Sequence, residues 1–338
     1  MIYPDGTKGT IKKGAYTGKH GTVVNSDYSV LLDDGVTKVG PFHTASGFQP
    51  DPIKIWGCNA ISSYEDTGLG TGLSRAKSLG ITWDRPYAEN PTKISWWVDT
   101  VTRCNKIGIS PLVCIERRPV GSDFVQVASQ LVSALKPLGV KYYQILNEPD
   151  LAGITPATYA QLLKSTVTEC RKVDSNAKFI GYSAPDMYII PTGEVNGKWV
   201  QWPIECVKAV PDIAYYMDAL AIHPYGSLSS TSHSWGGGWN LIKYERDLWI
   251  AAGVAKPFWI TEVGMKIGSS DLATKGTETE QADRITQYIN DVKNTSYVDA
   301  FFWFQWGNYG TDEQWGLTRD RNGAFRPAAS RYQQLVAS

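Results

Sequence analysis

The chain has 338 residues, 42% hydrophobic and 20% charged, with Lys plus Arg and Asp plus Glu both at 33. That balance argues against nucleic acid or an anionic membrane as the main partner. No apolar run reaches the ~18 residues that a membrane helix needs.

The first residues, "MIYPDGTKGTIKKG", carry no apolar core of a signal peptide. A cytoplasmic product is expected, or a secreted one whose signal is already removed. Residues 1–50 read as short alternating runs divided by Gly, Asn-Ser-Asp and Asp-Asp-Gly turns. This predicts a small all-β module of four or five strands. The spacing in "YTGKHGTVV" and "YSVLLDDG" is similar to a small SH3-like barrel. Its role is open between a packing appendage and a carbohydrate- or wall-binding module. "TASGFQPDP" reads as a linker.

From residue 51 to 338 the texture changes. Strand-length apolar runs alternate with amphipathic stretches. The strands are "IKIWGCNA", "ITWDRPY", "ISPLVCIERRP", "VKYYQILNEP", "FIGYSAPD", "LAIHPYG", "PFWITEVGM" and "DAFFWFQWGN". The predicted helices include "KISWWVDTVTRCNKIG", "SDFVQVASQLVSALKPLG", "TPATYAQLLKSTVTECRKV", "WNLIKYERDLWIAAG", "ETEQADRITQYINDVKN" and "RPAASRYQQLVA". Ser122 and Thr155 are candidate N-caps, with Pro156 at a first helical position. Strand–helix alternation implies parallel strands with helical crossovers. Eight units of this size predict an α/β (β/α)8 TIM barrel. An open doubly wound sheet would show a Gly-rich turn after its first strand; "GLGTG" lies too far along and lacks GxGxxG.

In such a barrel the C-terminal strand ends form the active face. Here they carry Arg85, Asn147 with Glu148, His223 with Tyr225, Glu262, and Trp303 with Trp306. Glu116 and Asp186 occupy comparable ends and are expected to be structural or distant from substrate. Pro149 is expected to end the fourth strand by removing a donor. Two carboxylates across one barrel mouth suit glycoside hydrolysis, one as proton donor and the other as nucleophile or base.

"LNEP" on the fourth strand and "TEVG" on the seventh resemble the retaining glycoside hydrolases of clan A. Arg after the second strand, His-x-Tyr after the sixth and Trp after the eighth also match. The resemblance covers roughly Ile53 to Ser338. It implies Glu148 as acid/base and Glu262 as nucleophile. Asn147 would bond the sugar 2-hydroxyl, and Tyr225 and Arg85 would hold Glu262. His223 would position the acid/base or a hydroxyl, and Trp303 or Trp306 would stack under the sugar. The implied ligand is an oligo- or polysaccharide.

No cofactor or metal is expected. Four histidines, His20, His43, His223 and His233, make no HExxH pair, and the five cysteines have no metal spacing. They read as reduced core thiols. Extra Trp and Tyr in "WDRPYAENPTKISWW", "PTGEVNGKWVQWP" and "SSTSHSWGGGWN" suggest aromatic platforms along a groove. The alternatives are a catalytically silent carbohydrate-binding protein and a wall-lytic glycosidase targeted by the N-terminal module. Linkage, endo or exo action and oligomeric state are not encoded legibly.

Overall fold

In a computed structural model, the structure describes residues 54–63, 71–87, 93–116, 120–150, 153–184, 192–195, 198–225, 238–268, 275–308 and 314–337. Before residue 54 it describes only the backbone of five short strands. The chain divides into two compact units, Met1–Ile53 and Lys54–Ser338.

The larger unit is a barrel of parallel strands with eight described α-helices. Its strands are β1 (Ile55–Asn59), β2 (Trp83–Arg85), β3 (Ser110–Pro111 and Val113–Ile115), β4 (Tyr142–Ile145), β5 (Lys178–Ala184), β6 (Ala219–Ile222), β7 (Phe258–Val263) and β8 (Val298–Trp303). Each pairs in parallel with its neighbours, and β8 returns to β1. Strand β3 is interrupted at Leu112. Its first part pairs with β2 and its second with β4. The chain itself bridges that point, where Leu112 N–H donates to Asp84 O at 2.8 Å.

The helices are α1 (Gly72–Ser78), α2 (Ile94–Ile107), α3 (Phe124–Leu135), α4 (Pro156–Val173), α5 (Trp202–Ala209), α6 (Trp239–Ala251), α7 (Glu278–Lys293) and α8 (Pro327–Val336). Thr155 caps α4 by accepting from Thr158 N–H, with Pro156 in its first turn. Helix α3 instead starts from Asp123, one residue past the expected Ser122. Thr277 and Glu280 form a reciprocal capping box on α7, which satisfies two N–H groups that a helix start leaves open.

The barrel lumen is filled, not hollow. Trp83, Tyr142, Trp259 and Phe302 meet there ring to ring, with centroids 5.0–6.3 Å apart. Small residues, Ala219, Ala221 and Ala300, make room for them. Gly57 belongs to the same layer: a Cβ there would lie 2.3 Å from the Phe302 ring. Alternation along each strand carries the other residues outward. Tyr143, Leu220, Ile260, Phe301 and Trp303 join the larger core under the helices.

The N-terminal unit contains one antiparallel sheet of five strands, Lys8–Ile11, His20–Val23, Val30–Leu32, Lys38–Val39 and Phe48–Pro50. The first strand pairs with both the second and the last. Phe48–Pro50 lies in the stretch expected to be a linker and is a strand of this sheet. The loops that suggested an SH3-like barrel lie outside the described residues.

Candidate active site

Above the aromatic lumen layer, the same alternation produces a polar one. On β2, Trp83 faces in, Asp84 faces out and Arg85 faces in. By the same count Asn59 on β1, Gln144 on β4, His223 after β6 and Thr261 on β7 share that level. Asn59, Arg85, Gln144, His223 and Thr261 are all buried, and buried polar side chains must find partners. The Arg85 guanidinium supplies most of them. Its Nε donates to Gln144 Oε1 at 3.0 Å, and its Nη1 to Asn59 Oδ1 at 2.9 Å and Glu262 Oε1 at 2.7 Å. Its Nη2 donates to Asn147 Oδ1 at 2.7 Å. Burial opposes the Arg85 charge, yet Glu262, Cys114 and Glu116 together hold its pKa above the usual value. Asp84, the chain neighbour of Arg85, points away and accepts from Ile61 and Ser62 N–H at 2.9 and 3.0 Å.

Two local irregularities aim the carboxylates. On β7 the pairing with β8 slips between Ile260 and Val263, a β-bulge. Bulges re-aim side chains and favour active-site rims; this one lets consecutive Thr261 and Glu262 both serve the site. After β4, Leu146 and Glu148 adopt left-handed φ of 62° and 44°. That conformation is costly for residues other than Gly. It ends the strand before Pro149 is reached, so the left-handed turn, and not the proline expected to do so, stops the ladder.

Glu148 and Glu262 then face one another. His223 bridges them: its Nδ1 is 2.8 Å from Glu148 Oε1 and 3.8 Å from Glu262 Oε2. Its Nε2 lies 3.0 Å from Thr261 Oγ1. A proton on Nδ1 satisfies both sides, because Nδ1–H then donates to Glu148 and Nε2 accepts from the Thr261 hydroxyl. Tyr225 O–H donates to Glu262 Oε2 at 3.1 Å. Burial and the Glu262 charge push that phenol well above its usual pKa, so it stays a donor. Glu262 accepts from a guanidinium and a phenol; Glu148 has an imidazole.

The structure therefore brings six predicted residues together: Glu148, Glu262, Arg85, Asn147, His223 and Tyr225. It separates Trp303 and Trp306 from them. Both are fully buried and offer no face to a sugar. Trp303 follows Phe301 outward beneath the helices, one step out of phase with the lumen residues Ala300 and Phe302. Trp306 donates its Nε1–H to Asn322 Oδ1 at 3.1 Å and packs on Phe325. The residue in phase is Phe304, only partly buried. Its ring and those of Tyr225 and Trp315 meet edge to face, with centroids 5.5–6.2 Å apart. Sequence reading missed Phe304, Trp315, Asn59, Gln144 and Thr261; counting in twos along each strand from its lumen residue, Gly57 to Asn59, Tyr142 to Gln144 and Trp259 to Thr261, finds the last three. Among the predicted groove aromatics, Tyr87 is 57% exposed. Trp97 and Trp202 are buried, Trp83 packs in the lumen, and Trp96 and Trp239 pack against the core, so these five serve the core and not the expected groove; Trp199, Trp235 and Asp186 lie outside the residues whose side chains are described.

One oxygen or nitrogen from each of Glu148, His223 and Glu262 lies within 4.8 Å of the others, a set that could hold a metal ion. Arg85 already places a positive charge 2.7 Å from Glu262, where a cation would sit. All five cysteines are free and buried, as expected of core thiols.

The glycosyl hydrolase catalytic core family matches residues 86–332 of the chain. No curated relative matches the sequence. Among solved structures, a family 39 glycoside hydrolase from Bacteroides cellulosilyticus WH2 is similar at TM-score 0.56 and 16% identity, over 98% of this chain and 76% of that one. A GH128 endo-β-1,3-glucanase from Amycolatopsis mediterranei, in complex with laminaritriose, gives 0.52 and 17% over 82% and 99%. A family 51 α-L-arabinofuranosidase from Bifidobacterium longum gives 0.60 and 12% over 84% and 74%. One fold thus serves different sugars, and the sugar must be sought in the site.

Proposed function

That the chain belongs to the glycosyl hydrolase catalytic core family, and so is a hydrolase acting on glycosides, is the premise from which we propose a retaining β-glycosidase working by double displacement. The observation that carries this reading is that one carboxylate oxygen of Glu148 lies within 4.8 Å of one of Glu262. Retaining enzymes hold the two carboxyl groups ~5–5.5 Å apart, whereas inverting enzymes leave ~6.5–9.5 Å for a water.

In the first step, Glu148 gives its proton to the glycosidic oxygen while a Glu262 oxygen attacks the anomeric carbon. The carbon–oxygen bond breaks, the leaving sugar departs, and a glycosyl ester of Glu262 forms. In the second, the Glu148 carboxylate takes a proton from water. The water oxygen attacks the anomeric carbon and Glu262 leaves. Asn147, held by Arg85, bonds the sugar 2-hydroxyl. Phe304, with Trp315 beside it, forms the aromatic floor in place of Trp303 and Trp306.

The substrate is an oligo- or polysaccharide. The laminaritriose bound by the GH128 neighbour makes a β-1,3-glucan the first candidate, with xylan, mannan and bacterial peptidoglycan as comparators. The test is proton NMR of the first product formed from whichever glycan is cleaved. Appearance of the β-anomer first supports retention. Appearance of the α-anomer first rules it out, and cleavage of none removes the catalytic reading.

A further inference from the structure

A cavity of about 530 Å3 lies outside the catalytic cluster, none of whose residues lines it. Its walls come from the connection between β8 and α8, closed by Glu278 in the first turn of α7. Gln314 lines it and is the chain neighbour of Trp315, whose ring lies 5.5 Å from Tyr225 and 5.7 Å from Phe304. The cavity thus shares a chain segment with the aromatic cluster of Tyr225, Phe304 and Trp315, and its volume is within the size range of ligand pockets.

Its lining is charged. Arg319 and Arg326 share Glu278: Arg319 Nε and Nη2 donate to its two oxygens at 3.0 and 2.7 Å, and Arg326 Nη1 donates to Oε1 at 2.6 Å. Arg326 is 5% exposed. Those hydrogen bonds and charges hold the Glu278 carboxyl below its usual pKa. Arg321 also lines the cavity. It is exposed and has no ion-pair partner among the described residues. Among the described lining residues, three guanidinium groups thus face two carboxylates, Glu278 and Asp320.

The walls are fixed in place. Asn308 N–H donates to Asp320 O, Thr318 N–H to Trp306 O and Arg326 N–H to Leu317 O, all at 2.8–2.9 Å. Asn308 Oδ1 accepts from Gly316 N–H at 2.9 Å. Gly307 approaches so closely that a Cβ there would lie 1.9 Å from Arg321 O. The backbone that carries Arg321 is thus ordered before binding, and a ligand has only the side chain to order.

We propose that this cavity is a second glycan subsite that takes the carboxylate of a uronic acid unit carried by the substrate chain. Arg321, with no ion-pair partner among the described residues, supplies the planar donor pair that fits a carboxylate bidentately. Asn308, whose Oδ1 accepts from Gly316 N–H, presents the rest of its amide to the hydroxyls of the same ring. The source of that ring rests on the glycosidase reading; the binding does not.

The test is a saturation-transfer NMR titration of the full chain with D-glucuronate, D-glucose, acetate and sulfate. Glucuronate should bind more tightly than the other three. Arg321→Ala should weaken it about tenfold, the loss of one charge-assisted contact, and Arg321→Lys should fall between. Binding should survive Glu148→Ala and Glu262→Ala, which abolish hydrolysis. Equal binding of glucose, equal binding of sulfate or acetate, an unchanged Arg321→Ala, or loss of binding in the two glutamate variants would each overturn the proposal. Absence of hydrolysis on every glycan would leave this result untouched.

Discussion

At the scale of single residues, phase along a strand decides what a side chain can do. Phe304 and Trp303 are chain neighbours with opposite surroundings. Truncating Phe304 removes an aromatic face at the mouth, while truncating Trp303 empties a packed space beneath the helices. Phe304→Ala should lower kcat/KM about tenfold, as expected for ~1–1.5 kcal/mol of ring contact, with the unfolding midpoint little changed. Trp303→Ala should cost about 3–5 kcal/mol of stability. Kinetics and urea denaturation of both variants separate the two roles; a Trp303→Ala protein of normal stability and poor kcat/KM would reverse the assignment. The sequence makes Trp at the end of β8 conspicuous, and residue type alone selected the wrong ring. What was legible was the polar content of the strand ends, since Arg85, Asn147, Glu148, His223, Tyr225 and Glu262 are costly to place there without a use.

At the scale of elements, Asp84 ties β2 to the short 3-10 turn Ile61–Ser63 that follows β1. It accepts two backbone N–H groups, but burial pushes its pKa to about 6, above the ~3.9 of an unfolded chain. The folded protein therefore binds this proton more tightly than the unfolded chain does. Stability is greatest below pH 4 with respect to this group, falls between about pH 4 and pH 6, and is level above. The whole step is on the order of 3 kcal/mol. Measured by denaturation at pH 4 and pH 7, wild type should lose about that much relative to Asp84→Asn. A difference that does not change with pH would show that Asp84 is ionised as easily when folded.

Element order was readable because periods of two and 3.6 alternate so regularly. Helices α1 and α5 escaped because they have seven and eight residues, too few to display a period. The bulge on β7 and the left-handed turn after β4 were not legible either. Each is fixed by tertiary pairing, and "WITEVG" and "ILNEP" carry no Gly at the irregular positions to announce it.

At the scale of the whole molecule, eight strands each contribute little, and the barrel brings their ends together. Arg85 from β2 holds Gln144 from β4, Asn147 just beyond it and Glu262 from β7, so one cation fixes groups far apart in sequence. This is why the site could be read as a set of strand-end residues but not as a geometry. The most direct test of the account is hydrolysis by Glu148→Ala and Glu262→Ala, each with and without azide, following the anomer of the azide product. Activity should fall at least about a thousandfold in both, a loss of ~4 kcal/mol or more in transition-state stabilisation. Azide should rescue Glu148→Ala to a β-glycosyl azide and Glu262→Ala to the α-anomer. Wild-type rates in either variant, or the same anomer from both, would contradict a nucleophilic Glu262 and an acid/base Glu148.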